Sequence, residues 1–296
     1  NTNDGSSSIE EIKDIMSDEY QDNMISESNE HLSKSISFQN VDSAPDQFKA
    51  MIYGLKNKSP YIKIEDYESG DIKVIFGRQN GLPNDLNTIF VGNVFYNKEV
   101  QYNKLKNVVP TIKTYLNTAD IQGSFIAKKK AGHKQDGQMI DELPDNEEDY
   151  IYQPLLDIVS EYRVVVYYMN GEYHVSGVYK KTGSNASFQS ITSGEIFERA
   201  SQIAIKAAGE LEYGLSGVDI ALVKRSENVD ESVLGGALSG AGKIAGSFSK
   251  KSIGDDQLVL LECNTMPSMN NPMIMFDTIK SILLSLFKNF IACIHV

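Results

Sequence analysis

Apolar positions along this chain fall mostly into short runs bounded by polar residues, the pattern of strands, with a few stretches of helical spacing between them. Residues 258–261 are one such run and predict a buried strand, followed by Glu262 and Asn264 two apart, with Pro267 turning the chain away. Residues i and i+2 of a strand share a face, so the carboxylate and the carboxamide project side by side. Residues 217–223 form a second run that carries one acid, Asp219. Residues 161–168 form a third, with Glu161 and Arg163 on one face, and the Asn170-Gly171 pair that follows predicts a hairpin turn. Its return strand begins at Tyr173 and ends in Lys180 and Lys181, ahead of Asn185. Shorter strands are predicted at 61–64, 72–76, 88–92 and 150–156, the last cut short by Pro154.

Ile196, Ala200, Ile203, Ala204, Ala207 and Leu211 recur at helical spacing and predict a helix over 195–212. Polar residues 98–106 and residues 46–54, which end at a glycine, also read as helices. Residues 281–294 are apolar but interrupted by Lys288 and Asn289 and short for a membrane span. They read as a docked helix, with membrane contact as the lesser reading.

Charge narrows the function classes. The net charge of −12 argues against a nucleic-acid-binding surface. Residues 1–50 hold eleven acids and three lysines, so residues 1–37 read as an acidic, flexible segment. The two cysteines, Cys263 and Cys293, have no CxxC or zinc spacing and read as reduced, packed thiols, which with the lack of a signal-peptide pattern points to a cytoplasmic protein. The chain opens at Asn1 rather than Met, which is compatible with processing or truncation.

The candidate chemistry gathers on three stretches. An unpartnered carboxylate in an apolar strand is costly, so Asp219 needs a cation or a donor. Hard oxygen ligands such as Asp219, Glu262 and Asn264, on two adjacent strands, suit Mg²⁺, which takes one or two carboxylates and completes its shell with phosphate and water. Residues 123–137 run from a strand into a loop carrying Lys128, Lys129, Lys130, Gly132, Lys134 and Gly137. Glycines let backbone N–H groups close on an anion, and a strand-anchored lysine supplies a point charge for phosphate; the plainer reading is a solvated basic hairpin. The glycine-rich stretch 232–247 fails as a phosphate-binding P-loop, because Ala237 and Ile244 stand where the motif needs Gly and Ser or Thr. It reads as part of a flexible insertion over 226–256.

Taken in order, Asn97-Lys98, residues 109–111, residues 126–128, residues 152–155, Glu161 with Arg163, residues 217–219 and Glu262-Cys263-Asn264 resemble the ATP-grasp superfamily over residues 95–285, in its glutamate-ligase and glutathione-synthetase-like branches. The resemblance implies an α+β fold in which two α+β subdomains grip a nucleotide, next to a short amino-terminal α/β subdomain. Its boundaries would be 38–108 for the amino-terminal part, 109–155 for the lid subdomain and 156–296 for the carboxy-terminal subdomain. Lys98 and Lys128 would contact the nucleotide, with the loop from Gly132 to Gly137 over it and Gln153 and Leu155 in the hinge that holds adenine through backbone groups. Arg163, Lys180, Lys181 and Asn185 would stand near the transferring phosphate, and Asp219, Glu262 and Asn264 would hold the metal. The sequence departs from the family in Glu161 for Asp, in Ser268 for Gly, in the length of the lid loop and in the 226–256 insertion.

The implied activity is carboxylate–amine ligation. ATP with Mg²⁺, or Mn²⁺ in its place, would phosphorylate a substrate carboxylate, and an amine on a small molecule or a peptide would displace the phosphate. Positioning and charge neutralisation do most of the work in such phosphoryl transfer. No protein nucleophile is required, and His133 and His174 stand outside the set. The alternatives are an ATP-grasp kinase acting on a hydroxyl, a catalytically inactive ATP-grasp-like binding module, and an unrelated α+β interaction protein. The acid, the amine and the oligomeric state stay open at this level.

Overall fold

The computed structural model describes residues 36–44, 46, 49–50, 52–53, 62–64, 72–77, 79–119, 121, 123–131, 138–139, 147–183, 187–225, 228–230, 256–265, 271, 273–275, 277–282 and 284–285. The acidic segment up to residue 35, Gly132, Gly137, Asn185, Ser268, most of the 226–256 insertion and the chain beyond residue 285 lie outside the described residues.

The chain is α+β, with long strands and few helices. Its amino-terminal part is a parallel sheet in the order β2-β1-β3-β4, built from β1 (Ile36–Gln39), β2 (Ile62–Ile64), β3 (Ile72–Phe76) and β4 (Thr88–Val91). Alternation within β3 buries Ile72, Val74 and Phe76 and leaves Lys73 and Ile75 half-exposed. β1 crosses the boundary at residue 37 that was expected to end the flexible segment, because Ile36 and Phe38 belong to the core.

The carboxy-terminal part is antiparallel. β9 (Ile158–Met169), β10 (Glu172–Thr182), β11 (Ser187–Ile191) and β12 (Leu215–Lys224) lie in the order β11-β10-β9-β12, and β14 (Asp256–Asn264) runs along the other side of β12. The Asn170-Gly171 turn forms as its residues demand, with φ of 57° and 83°. β11 was not foreseen: its polar sequence gives no apolar run, and it forms as an edge strand along β10.

β4 meets β12 at one pair, Leu215 with Val91, and Gly92 N–H donates to the Thr265 carbonyl at 3.1 Å. The parallel sheet is thus joined to the antiparallel one just where β14 ends. A separate three-stranded sheet holds β6 (Phe125–Lys129), β7 (Gln138–Met139) and β8 (Tyr150–Pro154) in the order β7-β6-β8. β5 (Thr111–Ile112), inside the stretch expected to be lid, pairs instead with β14 and with β13 (Val229–Asp230) of the large sheet.

Two helices matter for the site. In α1 (Lys98–Leu105) the Asn97 side chain caps the amino end by accepting from Val100 N–H at 2.9 Å. α2 (Glu195–Glu210) presents Ala200, Ala204, Ala207 and Ala208 to the sheet, small residues that let it approach Val164, Val166 and Val178 closely. The opposite core packs Ile274, Met275, Ile279 and Ile282, from residues 273–275 and 277–282, with residues of β1, β3, β4, β9 and β10, among them Ile36, Val74, Val91, Tyr167 and Tyr179.

A polar seam runs through that second contact. Tyr179 O–H donates to Asp277 at 2.9 Å, Tyr167 O–H donates to the Ser281 carbonyl at 3.0 Å, and the Ser176 and Thr278 hydroxyls are 3.2 Å apart. Gly177 permits the first of these, since a side chain there would collide with the Tyr179 ring. Burial raises the Asp277 carboxyl above its ordinary value, and the Tyr179 hydrogen bond and Lys280 oppose that shift. The folded carboxyl therefore binds its proton at higher pH than the unfolded one. Its contribution to stability is full below the ordinary carboxylate range and is lost as pH rises through the raised value. Asp277→Asn keeps an acceptor for Tyr179 and removes the titration. Thermal melts should show the variant gaining on the wild type as pH rises above about 4; the opposite trend would refute this account of the seam.

Candidate functional site

The charged centre begins with two strands in register. Arg163 on β9 lies opposite Asp219 on β12. The guanidinium donates from Nε to Oδ1 at 2.9 Å and from Nη2 to Oδ2 at 2.8 Å, a two-pronged pair whose side chains are 17% and 25% exposed. Burial acts to lower the Arg163 pKa, but the Asp219 carboxylate outweighs it and the guanidinium sits above its usual value. The carboxylate that looked costly in the apolar strand has found its donor. Asn264 adds a second one, its Nδ2 donating to Asp219 Oδ2 at 3.4 Å.

On its other side Asp219 faces Glu262 of β14, and here the strand departs from regularity. Asp219 pairs with Glu262 and Ile220 with Leu260, so Leu261 is an extra residue, a β-bulge. Bulges re-aim side chains, and this one brings Leu260, Leu261 and Glu262 together into the wall of a cleft. Lys98 Nζ, from the first turn of α1, is 3.9 Å from Glu262 Oε1. Burial raises the Glu262 carboxyl above its ordinary value, with Lys98 the strongest opposing charge. Lys128, on β6 of the separate sheet, lines the same cleft; burial lowers its pKa, Glu262 opposes that, and Lys98 adds to it.

The cleft lies between β6 and β8 on one side and α1, β5 and β14 on the other, and encloses about 410 Å³ of atom-free space, its open mouth included. Two buried polar atoms among its lining residues have no partner: Gln153 Oε1 and Thr111 Oγ1. Gln153 uses its other end to donate to Thr114 Oγ1 at 2.9 Å. Buried polar groups are nearly always satisfied, so an orphaned acceptor and an orphaned hydroxyl in one cleft fit a ligand that brings its own donors and acceptors.

The remaining expected site residues divide. Lys181 binds Glu161 at 2.7 Å. By alternation both lie on the face of the sheet that carries Arg163. Phe188 of β11, opposite Lys181, lies under the Arg163 guanidinium, 5.8 Å from ring centre to Cζ. Lys180 pairs with Tyr162 and falls on the other face, the one α2 covers, so the structure does not bring it to the charged centre. Leu155 is partly exposed, and its backbone N–H already donates to the Ser124 carbonyl at 3.0 Å. Among the described residues, no three His, Cys, Asp or Glu side chains gather to hold a metal. Asp219 and Glu262 are two neighbouring carboxylates, and the Asn264 carboxamide lies beside Asp219. No helix among the described residues is long and apolar enough to cross a membrane.

Two residues of the cleft had no signal in the sequence. Gln101 and Tyr102 line it, yet they stand in a polar helix whose pattern marks neither. Tyr102 O–H donates to Asp230 on β13 at 2.7 Å, and burial with that carboxylate raises its pKa to about 12.

No protein-family model matches the chain, and no curated protein matches it. Solved structures do. N5-carboxyaminoimidazole synthetase from Staphylococcus aureus complexed with ADP is 12% identical over 83% of this chain and 76% of that one, with a TM-score of 0.48. A putative ATP-grasp superfamily protein from Archaeoglobus fulgidus is 15% identical over 78% of this chain and 99% of that one, with a TM-score of 0.41. The ATP-grasp ligase PsnB, complexed with minimal precursor, is 14% identical over 80% and 92% of the two chains, with a TM-score of 0.45. Two of these three structures are described as ATP-grasp proteins. At these identities and TM-scores the likeness carries no functional argument, and the functional reading rests on the side chains above.

The Arg163–Asp219 pair can be tested alone. Arg163→Gln and Asp219→Asn should each destabilise the fold, and the double variant should fall short of their sum by a coupling of about 1–3 kcal/mol in urea unfolding. Additive losses would mean that the two groups do not depend on each other.

Proposed function

We propose that this chain is an ATP- and Mg²⁺-dependent ligase that joins a carboxylate to an amine through an acyl phosphate. The observation that carries the reading is the convergence of Lys98, Lys128 and Glu262, from two sheets and a helix, on one cleft with orphaned polar atoms in its wall, with the Asp219–Arg163 pair next to Glu262 in the sheet.

The residues present fit a magnesium–nucleotide pair better than a bare metal. Two carboxylates and a carboxamide leave a hard cation needing further oxygens, which phosphates provide. Bound there, Mg-ATP supplies the phosphoryl group and its own charge neutralisation. Glu262, Asp219 and Asn264 would hold the metal, while Lys98 and Lys128, the latter with a pKa lowered by burial, would meet phosphate. Gln153 Oε1 would accept a hydrogen bond from the base. Arg163 is held flat by Asp219 and Phe188 on the face shared with Lys181 and Glu161, and from there it would steady the charge that develops on the transferring phosphoryl group. Gly132, Gly137 and Asn185 would complete the site, and the substrates would be a carboxylate and an amine on a small molecule or a peptide. Cys263, a buried free thiol, agrees with a reducing, cytoplasmic setting.

Calorimetric binding of a non-hydrolysable ATP analogue, with and without Mg²⁺, tests this. Binding should depend on Mg²⁺ and weaken roughly tenfold or more in Glu262→Gln, with the fold kept. A folded wild type that binds no analogue would overturn the reading. ADP release with acids and amines together, but not with alcohols, would then separate a ligase from a kinase.

A further inference from the structure

Gln101 lies in the middle of α1 and is nearly buried, at 9% exposure. Its carboxamide does not simply fill the core. Nε2 donates to the Cys263 carbonyl at 3.0 Å, and the Cys263 N–H donates to Oε1 at 3.2 Å. The side chain thereby engages both backbone polar groups of one residue, as a neighbouring strand would. Nε2 also donates to the Tyr96 carbonyl at 3.0 Å and, more weakly, to Tyr213 Oη at 3.4 Å, so the amide is satisfied at both ends.

Cys263 is the residue between Glu262 and Asn264. β12 covers one edge of β14 along its length, while on the other edge β5 pairs only at Leu260. Beyond that point, among the described residues, no strand continues the ladder, and Gln101 takes the place of one. The β12–β14 register shifts at the bulge, and on this edge β5 supplies no pairing beyond Leu260. A shift of one residue would turn Cys263 toward the cleft and bury Glu262 and Asn264. A carboxamide that reads the N–H and C=O of Cys263 alone defines the register. Lys98, which reaches Glu262, lies three residues earlier on the same face of α1, so the helix addresses β14 by charge at one point and by backbone pairing at the next. An apolar residue at 101 would pack as well beside Leu105 and Val109, both in the same core cluster, so packing alone does not call for an amide here.

We propose that Gln101 is a positioning residue that stands in for a strand neighbour at Cys263 and holds Glu262 and Asn264 aimed at the cleft. Its amide is taken up by protein partners, and it acts through the β14 backbone. The inference rests on the metal reading given under Proposed function.

The test uses the full chain and two variants. Gln101→Met keeps the length and loses both hydrogen bonds; Gln101→Asn keeps the amide but is one methylene too short to reach Cys263. Mn²⁺ affinity is read by electron paramagnetic resonance in the presence of a non-hydrolysable ATP analogue. Analogue affinity without metal and Tm are measured alongside. In both variants Mn²⁺ affinity should fall about 10–100-fold, well beyond any loss of metal-free analogue affinity. The loss should not track Tm, because Met adds apolar burial and Asn adds an unmatched amide. Amide exchange at Cys263 should quicken in both. Wild-type Mn²⁺ affinity in the variants, or metal and analogue affinities falling in proportion, would overturn the inference. If Glu262→Gln abolishes Mn²⁺ binding and the Gln101 variants do not, the metal site stands and only the role of Gln101 falls. If the wild type binds no Mn²⁺ with nucleotide, the site reading falls and Gln101 with it.

Discussion

A carboxylate in the middle of an apolar strand constrains everything around it. Asp219 cannot be buried in β12 without donors, and Arg163 on one side and Asn264 on the other supply them. Satisfying it requires β9, β12 and β14 to sit in one register. Once they do, Glu262 is placed beside Asp219 whether or not it has a role of its own. A slip of one residue along β9 would put Tyr162 or Val164 opposite Asp219 and leave its charge without a partner. The stability of the sheet and the geometry of the site are therefore the same requirement.

The positive half of the site comes from elsewhere. Lys98 belongs to α1 and Lys128 to the separate sheet, and α1 links the two. Lys98 N–H donates to the Lys130 carbonyl at 2.9 Å, and Lys130 Nζ binds Glu99 at 2.9 Å. The same helix grips Cys263 through Gln101. It thus spans the cleft between the two sheets, and both lysines and Glu262 are held against one another at a cost in burial that appears in the shifts of Lys128 and Glu262. Sites that store such costs are those in which an added opposite charge, such as a phosphate or a metal, is most strongly welcomed.

Much of the strand pattern was legible because short apolar runs, an Asn-Gly turn and i, i+2 spacing are local signals. The strands bearing Arg163, Asp219 and Glu262 form where those signals put them. β11 and β5 were not legible. One is polar and exists by pairing along β10, and the other is two residues long and exists by completing the edges of β13 and β14. Lys180 and Lys181 could not be told apart by spacing, since only the pairing of β10 with β9 decides which of them shares a face with Arg163. Gln101 gave no sign at all. A glutamine in a polar helix looks solvated until the fold brings a bare strand edge against it.

The sequence by itself determined the elements, the order of the charged residues along them and the face on which each pair i, i+2 must lie, because these follow from backbone periodicity and from the cost of burying charge. Only the tertiary structure decided that Asp219 is answered by Arg163, that a bulge at Leu261 aims Glu262 into the cleft, and that a side chain substitutes for a strand at Cys263. Those outcomes depend on which edges meet in space, and residues as far apart as 101 and 263 carry no local trace of their meeting.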